Sequence, residues 1–187
     1  MEGGKEAIGD GMANKSSEKN AEMDAKRLQR IHTKHTGEGC FMPWDEWVEK
    51  VTKAYAELIR RAQSVPYGQI TVTYSELGKR IGLYPLSDWF QLKIAWILYA
   101  CATYAYEDGL PMITALVVNS KTGQPGKGFW GLDGVPVRLR KVTKVEDITP
   151  FIISGERDSF WVAELKRIDK WGKGTEIAYC IKGGNKQ

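Results

Sequence analysis

His32, His35 and Cys40 are the first residues in this chain that could ligate a metal, because imidazole and thiolate are the usual zinc donors. A structural zinc site needs four such donors, and no fourth stands nearby, so the three predict solvated side chains and not a metal centre. Residues 41 to 187 contain no histidine at all. That excludes Ser–His–Asp and Cys–His nucleophile systems there, since both need an imidazole to take up a proton. Glu164 and Lys166 spell E-x-K, a fragment of a nuclease motif, but the surrounding pattern is an amphipathic helix with no acidic strand partner, which predicts a solvated face. Glu107 and Asp108 are adjacent carboxylates able to hold a cation, and a turn before Gly109 explains them equally well. "GQPGKG", residues 123 to 128, lacks the hydroxyl residue after its lysine and the glycine spacing of a phosphate loop. These residues predict neither an active site nor a cofactor.

Composition narrows the class. A chain of 187 residues with 42% hydrophobic and 27% charged residues suits one globular core. No apolar run reaches the roughly 18 residues of a membrane helix; residues 89 to 106 are interrupted by Gln91, Lys93 and Thr103. No signal-peptide pattern is present either, and the expectation is a cytoplasmic protein. Cys40, Cys101 and Cys180 are odd in number and widely spaced, which suits a reducing compartment; Cys101 reads as packing. The net charge of +4 falls wholly on residues 41 to 187, because residues 1 to 40 hold equal numbers of acids and bases. Such mild basicity permits a nucleic-acid partner without requiring one.

The elements that would position these residues follow from periodicity. Residues 1 to 40 are rich in Gly, Lys, Glu, Asn and Ser and predict a disordered tail, with a local basic patch at Ala25 to His35. From Trp44 to about Gln63 apolar residues recur every three or four positions, the stripe of an amphipathic helix. "VPYG" makes a turn, Ile70 to Val72 a short strand, and Thr73 with Glu76 a capping box that opens a short helix closed by Gly82. A largely buried helix runs from Ser87 or Asp88 to about Tyr106, with Trp89 and Phe90 read as core. Met112 to Asn119 predicts a strand, "SKTGQPGKG" a hairpin loop, and Phe129–Trp130 a returning strand. "RDSFWVAELKRIDKW" predicts a last helix, capped near Asp158 or Ser159, and "TEIAYC" a short strand.

This order resembles the DNA-binding domain of the O6-alkylguanine-DNA alkyltransferases and alkyltransferase-like proteins. The resemblance rests on Pro66, Gly68, Ile70, Thr71 or Thr73, Tyr74, Leu77 and Gly78, and on Val117–Val118 followed by a small-residue turn; it spans about residues 64 to 130. It implies a winged helix-turn-helix within an α/β (α+β) domain over residues 41 to 187. It implies no alkyl transfer: Thr114, Ala115 and Leu116 stand where the family's reactive Cys, His and Arg would be, and transfer needs a thiolate beside a histidine. Lesion recognition is not implied either.

A nucleic-acid partner, duplex DNA above all, would then meet Tyr74, Lys79 and Arg80 on the short helix and Ser87, Gln91 and Lys93 at the long helix start. Lys121 and Lys127 would stand on the wing, with Arg138 and Arg140 after it, followed by Lys141 and Lys144. Lys and Arg at a wing neutralise phosphates without reading sequence. The expectation is a non-enzymatic nucleic-acid-binding protein without cofactor. Seven tryptophans and a weak recognition helix support an alternative, a protein-interaction module on the same scaffold. A third reading places a small-ligand pocket at Tyr74, Met112, Thr114 and Trp130.

Overall fold

The computed structural model describes residues 24–35, 42–140 and 150–174. The chain is mostly helical, with one two-stranded parallel sheet. Helix α1 (Ala25–His35) lies within the segment expected to be a disordered tail, and that expectation fails there. Leu28 and Ile31 are both buried. Arg27 donates to Glu107 at 3.0 Å and Asp108 at 2.7 Å, and its guanidinium stacks 3.9 Å from the Tyr104 ring. Arg30 adds a 2.8 Å bond to Glu107. The two carboxylates read as a possible cation site are therefore met by arginines, at the negative end of the helix that carries them.

Helix α2 (Trp44–Ser64) follows its apolar stripe, burying Trp47, Val51, Tyr55, Leu58 and Ala62. Cys101 is buried against it, its thiol 3.7 Å from the Val51 carbonyl, and burial pushes that thiol's pKa up, which suits packing. From the same helix the buried Arg61 donates to the carbonyls of Gln69, Ile70 and Thr71 at 2.7, 2.9 and 2.5 Å. It fixes the path from a 3₁₀ turn (Tyr67–Gln69) into strand β1 (Val72–Thr73).

Helix α3 (Tyr74–Arg80) is closed at both ends as the sequence predicts. Thr73 and Glu76 form the reciprocal capping box. At the other end Gly82 takes φ 79°, Leu83 N–H bonds the Gly78 carbonyl at 2.8 Å, and Gly82 N–H bonds Lys79 at 3.2 Å, the two bonds of a Schellman motif.

Helix α4 (Phe90–Glu107) starts two to three residues later than expected, because Ser87 is bonded back to Tyr84 in a turn. Its first residue, Phe90, is buried against Gly78, where a Cβ would lie 2.5 Å from the Phe90 ring.

The apolar run after α4 departs from the predicted strand. Ile113–Leu116 is a buried 3₁₀ turn, and only Val117–Val118 forms a strand, β2, parallel to β1 with Val72 opposite Val117 and Thr73 opposite Val118. The reason lies in helix α6 (Pro150–Gly172): Trp161 Nε1 donates to the Ala115 carbonyl at 2.9 Å, and Glu164 accepts from Met112 N–H at 3.2 Å. Side chains thus satisfy backbone groups that a sheet partner would otherwise take. Glu164, expected on a solvated face, is 4% exposed and also pairs with Arg167. The predicted wing hairpin is absent among the described residues. Asn119 and Gln124 close residues 119–124 on themselves, Gly126 N–H goes to the Tyr74 hydroxyl, and Phe129–Trp130 lie in a 3₁₀ turn (Lys127–Gly131).

A short α5 (Val137–Arg140) precedes α6, which begins eight or nine residues before its predicted cap. At its end Gly172 crosses α2 so closely that a Cβ would overlap the Ala62 carbonyl oxygen. No described helix is long and apolar enough to cross a membrane. Cys40, Cys180, Lys141, Lys144 and the predicted "TEIAYC" strand lie outside the described residues.

Candidate functional site

The β1–β2 pairing brings residues 72–73 beside residues 117–118, and next to them opens a cavity of about 490 Å³. Three of the residues expected at a nucleic-acid interface, Tyr74, Gln91 and Lys127, line it. Aliphatic walls come from Ile94 and Leu98 of α4, from Leu132, and from Ile31 of α1. Aromatic walls come from Trp47, Tyr74, Trp96, Tyr99 and Phe129. Exposed polar residues, Ser75, Gln91, Asn119, Ser120 and Lys127, also border it. No described Asp or Glu does.

Local chemistry fixes these walls. The Tyr74 hydroxyl accepts from Gly126 N–H at 3.0 Å, and a Cβ at Gly126 would stand 2.9 Å from that oxygen, so the glycine lets the Lys127 turn close over the ring. Burial raises the Tyr74 phenol pKa and keeps it protonated. His32 makes edge contacts with Trp44 and Trp47, each at 4.9 Å, and burial lowers its pKa, favouring the neutral ring.

Two side chains on the cavity carry a buried polar atom with no hydrogen-bond partner: the indole Nε1 of Trp47 and the Oγ1 of Thr114. An unmade bond at a buried donor or acceptor costs about 1–3 kcal/mol, and native structures keep few of them. Sequence reasoning placed Thr114 and Tyr74 at a pocket, and the structure agrees. Met112 and Trp130 are elsewhere: the Met112 side chain packs where a Gly134 Cβ would fall, and Trp130 faces the Arg157 guanidinium at 4.9 Å. Trp47, Ile31 and His32 gave no such signal, because a helical apolar stripe and a polar tail say nothing of a shared cavity.

The other expected contacts divide by whether the fold already uses their charge. Arg80 pairs with Glu57 at 3.2 Å and Arg138 with Glu156 at 3.5 Å. Arg140 donates to the carbonyls of Val135 and Asp133. Ser87 Oγ donates to Tyr84, and Lys93 is half-buried beside Leu92 and Trp96. Lys79, Lys121 and Lys127 are exposed and make no ion pair with a described residue.

A second surface lies between α3 and α4. Tyr84 is 79% exposed, Leu86 100% and Trp89 60%, so Trp89 does not pack in the core as the sequence suggests, while Phe90 does. Trp89 is the one described non-glycine residue with positive φ, 65°, a conformation that costs a bulky residue roughly 1–3 kcal/mol. Among the described residues no cluster of His, Cys, Asp and Glu could hold a metal ion. Neither a family model, nor a curated protein, nor a solved structure matches this chain.

Proposed function

We propose that this chain is a non-enzymatic nucleic-acid-binding protein that works through the α3–α4 connection and not through a wing. The observation that carries this reading is the solvent-exposed Trp89, held in a left-handed backbone at the start of α4, with the exposed Tyr84 in the same connection. An exposed indole offers a flat face on which a base stacks, at a kinked duplex step or in a single strand. Lys79 and Lys121, uncommitted to any described carboxylate, would neutralise phosphates. The full chain should bind a labelled single strand or random duplex with micromolar affinity that falls steeply with salt. Trp89→Ala should weaken it by roughly 5- to 100-fold, in keeping with about 1–3 kcal/mol per stacked base. Lys79→Glu with Lys121→Glu should flatten the salt dependence. Absence of binding at about 50 mM salt overturns the reading.

Leu86 favours a second one. It is wholly exposed and has neither charge nor π-face, which suits a protein interface better than a base. Leu86→Ser leaves nucleic-acid binding unchanged under the first reading and removes partner binding under the second.

A further inference from the structure

We propose that the cavity bounded by α1, α2, α4 and the Lys127 turn binds a planar small molecule, uncharged or anionic, that presents hydrogen-bond acceptors, such as a two-ring aromatic carboxylate or amide. This site is separate from the Trp89 surface and does not rest on nucleic-acid binding.

Four observations set the chemistry. Trp47 Nε1 is a donor only, so whatever meets it must present an acceptor. Thr114 Oγ1 can give or take a hydrogen bond, and it too has no protein partner. Water suits the polar rim of Ser75, Gln91, Asn119 and Ser120 but not the aliphatic walls, since each ordered water needs two to four polar partners and Ile31, Ile94, Leu98 and Leu132 supply none. Charge is one-sided, because Lys127 lines the cavity while no described carboxylate does, and burial favours the neutral form of His32. A cation would meet the Lys127 ammonium and no carboxylate, with only ring faces to offset its desolvation; an anion would find the ammonium.

Size and shape agree. At about 490 Å³ the cavity lies within the range of small-molecule sites. Rings from Trp47, Tyr74, Trp96 and Phe129 favour a flat, polarizable occupant over a compact polar one. Met112 and Trp130, drawn into the core, play no part in this lining.

The test uses the full chain and three probes of one shape and different charge: 2-naphthoate, 2-naphthamide and 2-naphthamidinium. Binding is followed by thermal shift and by the tryptophan indole N–H resonances, with Trp47→Phe assigning that of Trp47. Naphthoate and naphthamide should saturate and move the Trp47 resonance, and naphthamidinium should bind at least about tenfold more weakly. Thr114→Val should weaken the first two by roughly tenfold, the order expected for one buried hydrogen bond. Thr114→Ser should retain them. Lys127→Ala should weaken naphthoate alone, and Trp89→Ala should change nothing. Equal binding of all three probes overturns the proposal, as does no binding by protein that melts cooperatively. So does binding that ignores both Thr114→Val and Trp47→Phe.

Discussion

The two ends of α2 treat their polar groups in opposite ways. Toward the 69–71 segment, Arg61 satisfies three carbonyls from one guanidinium, and α3 beyond it is capped at both ends. Toward the cavity, Trp47 leaves its indole N–H unanswered, and Thr114 across the chain does the same. Both ends belong to one core, so loose folding does not account for the difference. The contrast separates a part of the molecule that is complete by itself from a part whose polar groups are matched only by something added. Buried polar atoms are informative for that reason: most are satisfied within the fold, and each exception asks for its own explanation.

The contrast can be broken most forcefully at Arg61. Arg61→Met keeps much of the length but strands the buried Ile70 carbonyl and removes the partly buried bonds to Gln69 and Thr71, and urea unfolding should show about 2–3 kcal/mol of lost stability. Gly78→Ala should follow, with a cost of about 1–3 kcal/mol, since its methyl overlaps the buried Phe90 ring. On the cavity side the sign should reverse. Thr114→Val removes an unsatisfied hydroxyl at nearly constant shape, and the ligand-free protein should gain up to about 1 kcal/mol by the same measurement. A loss of stability there would mean that the hydroxyl is already satisfied and that the two ends are alike.

The smallest effect concerns pH. His32 has a folded pKa below its ordinary value because burial disfavours the imidazolium. The unfolded chain therefore binds more protons as pH falls, so stability is retained above about pH 6.5 and declines as pH falls through that value. Melting temperatures of the parent and of His32→Gln, compared from pH 7.5 to 5, should converge on the acidic side.

What the sequence disclosed was local. Thr73 and Glu76 specify a cap within four residues, and Gly82 a stop, so α3 was legible residue by residue. The stripe of α2 was equally plain, because its period repeats over five turns. The 112–131 segment was not, since a short apolar run cannot distinguish a strand from a buried 3₁₀ turn whose backbone groups are met by Trp161 and Glu164 of a distant helix. Helix α1 was missed for a related reason. Leu28 and Ile31 are too few to order a segment alone, but Arg27 and Arg30 add contacts to carboxylates some eighty residues away. Of the candidate site, Tyr74 and Thr114 were placed at a pocket through the family resemblance, whereas Gln91 and Lys127 were expected at a nucleic-acid interface. The pairing of Thr114 with Trp47 around one space was not legible, because no local pattern links them.

The parallel pairing of Val72 with Val117 has a practical consequence. The cavity takes its walls from Ile31 through Leu132, so its contributors span about a hundred residues of chain. Truncation mapping is accordingly the wrong tool for finding its activity: a shortened chain that drops α1, or that ends before the Lys127 turn, would retain much of its helical circular dichroism while losing a wall. Point substitutions in the intact chain are the informative experiment, and a ligand, once found, would report on the completed fold and not on any piece of it.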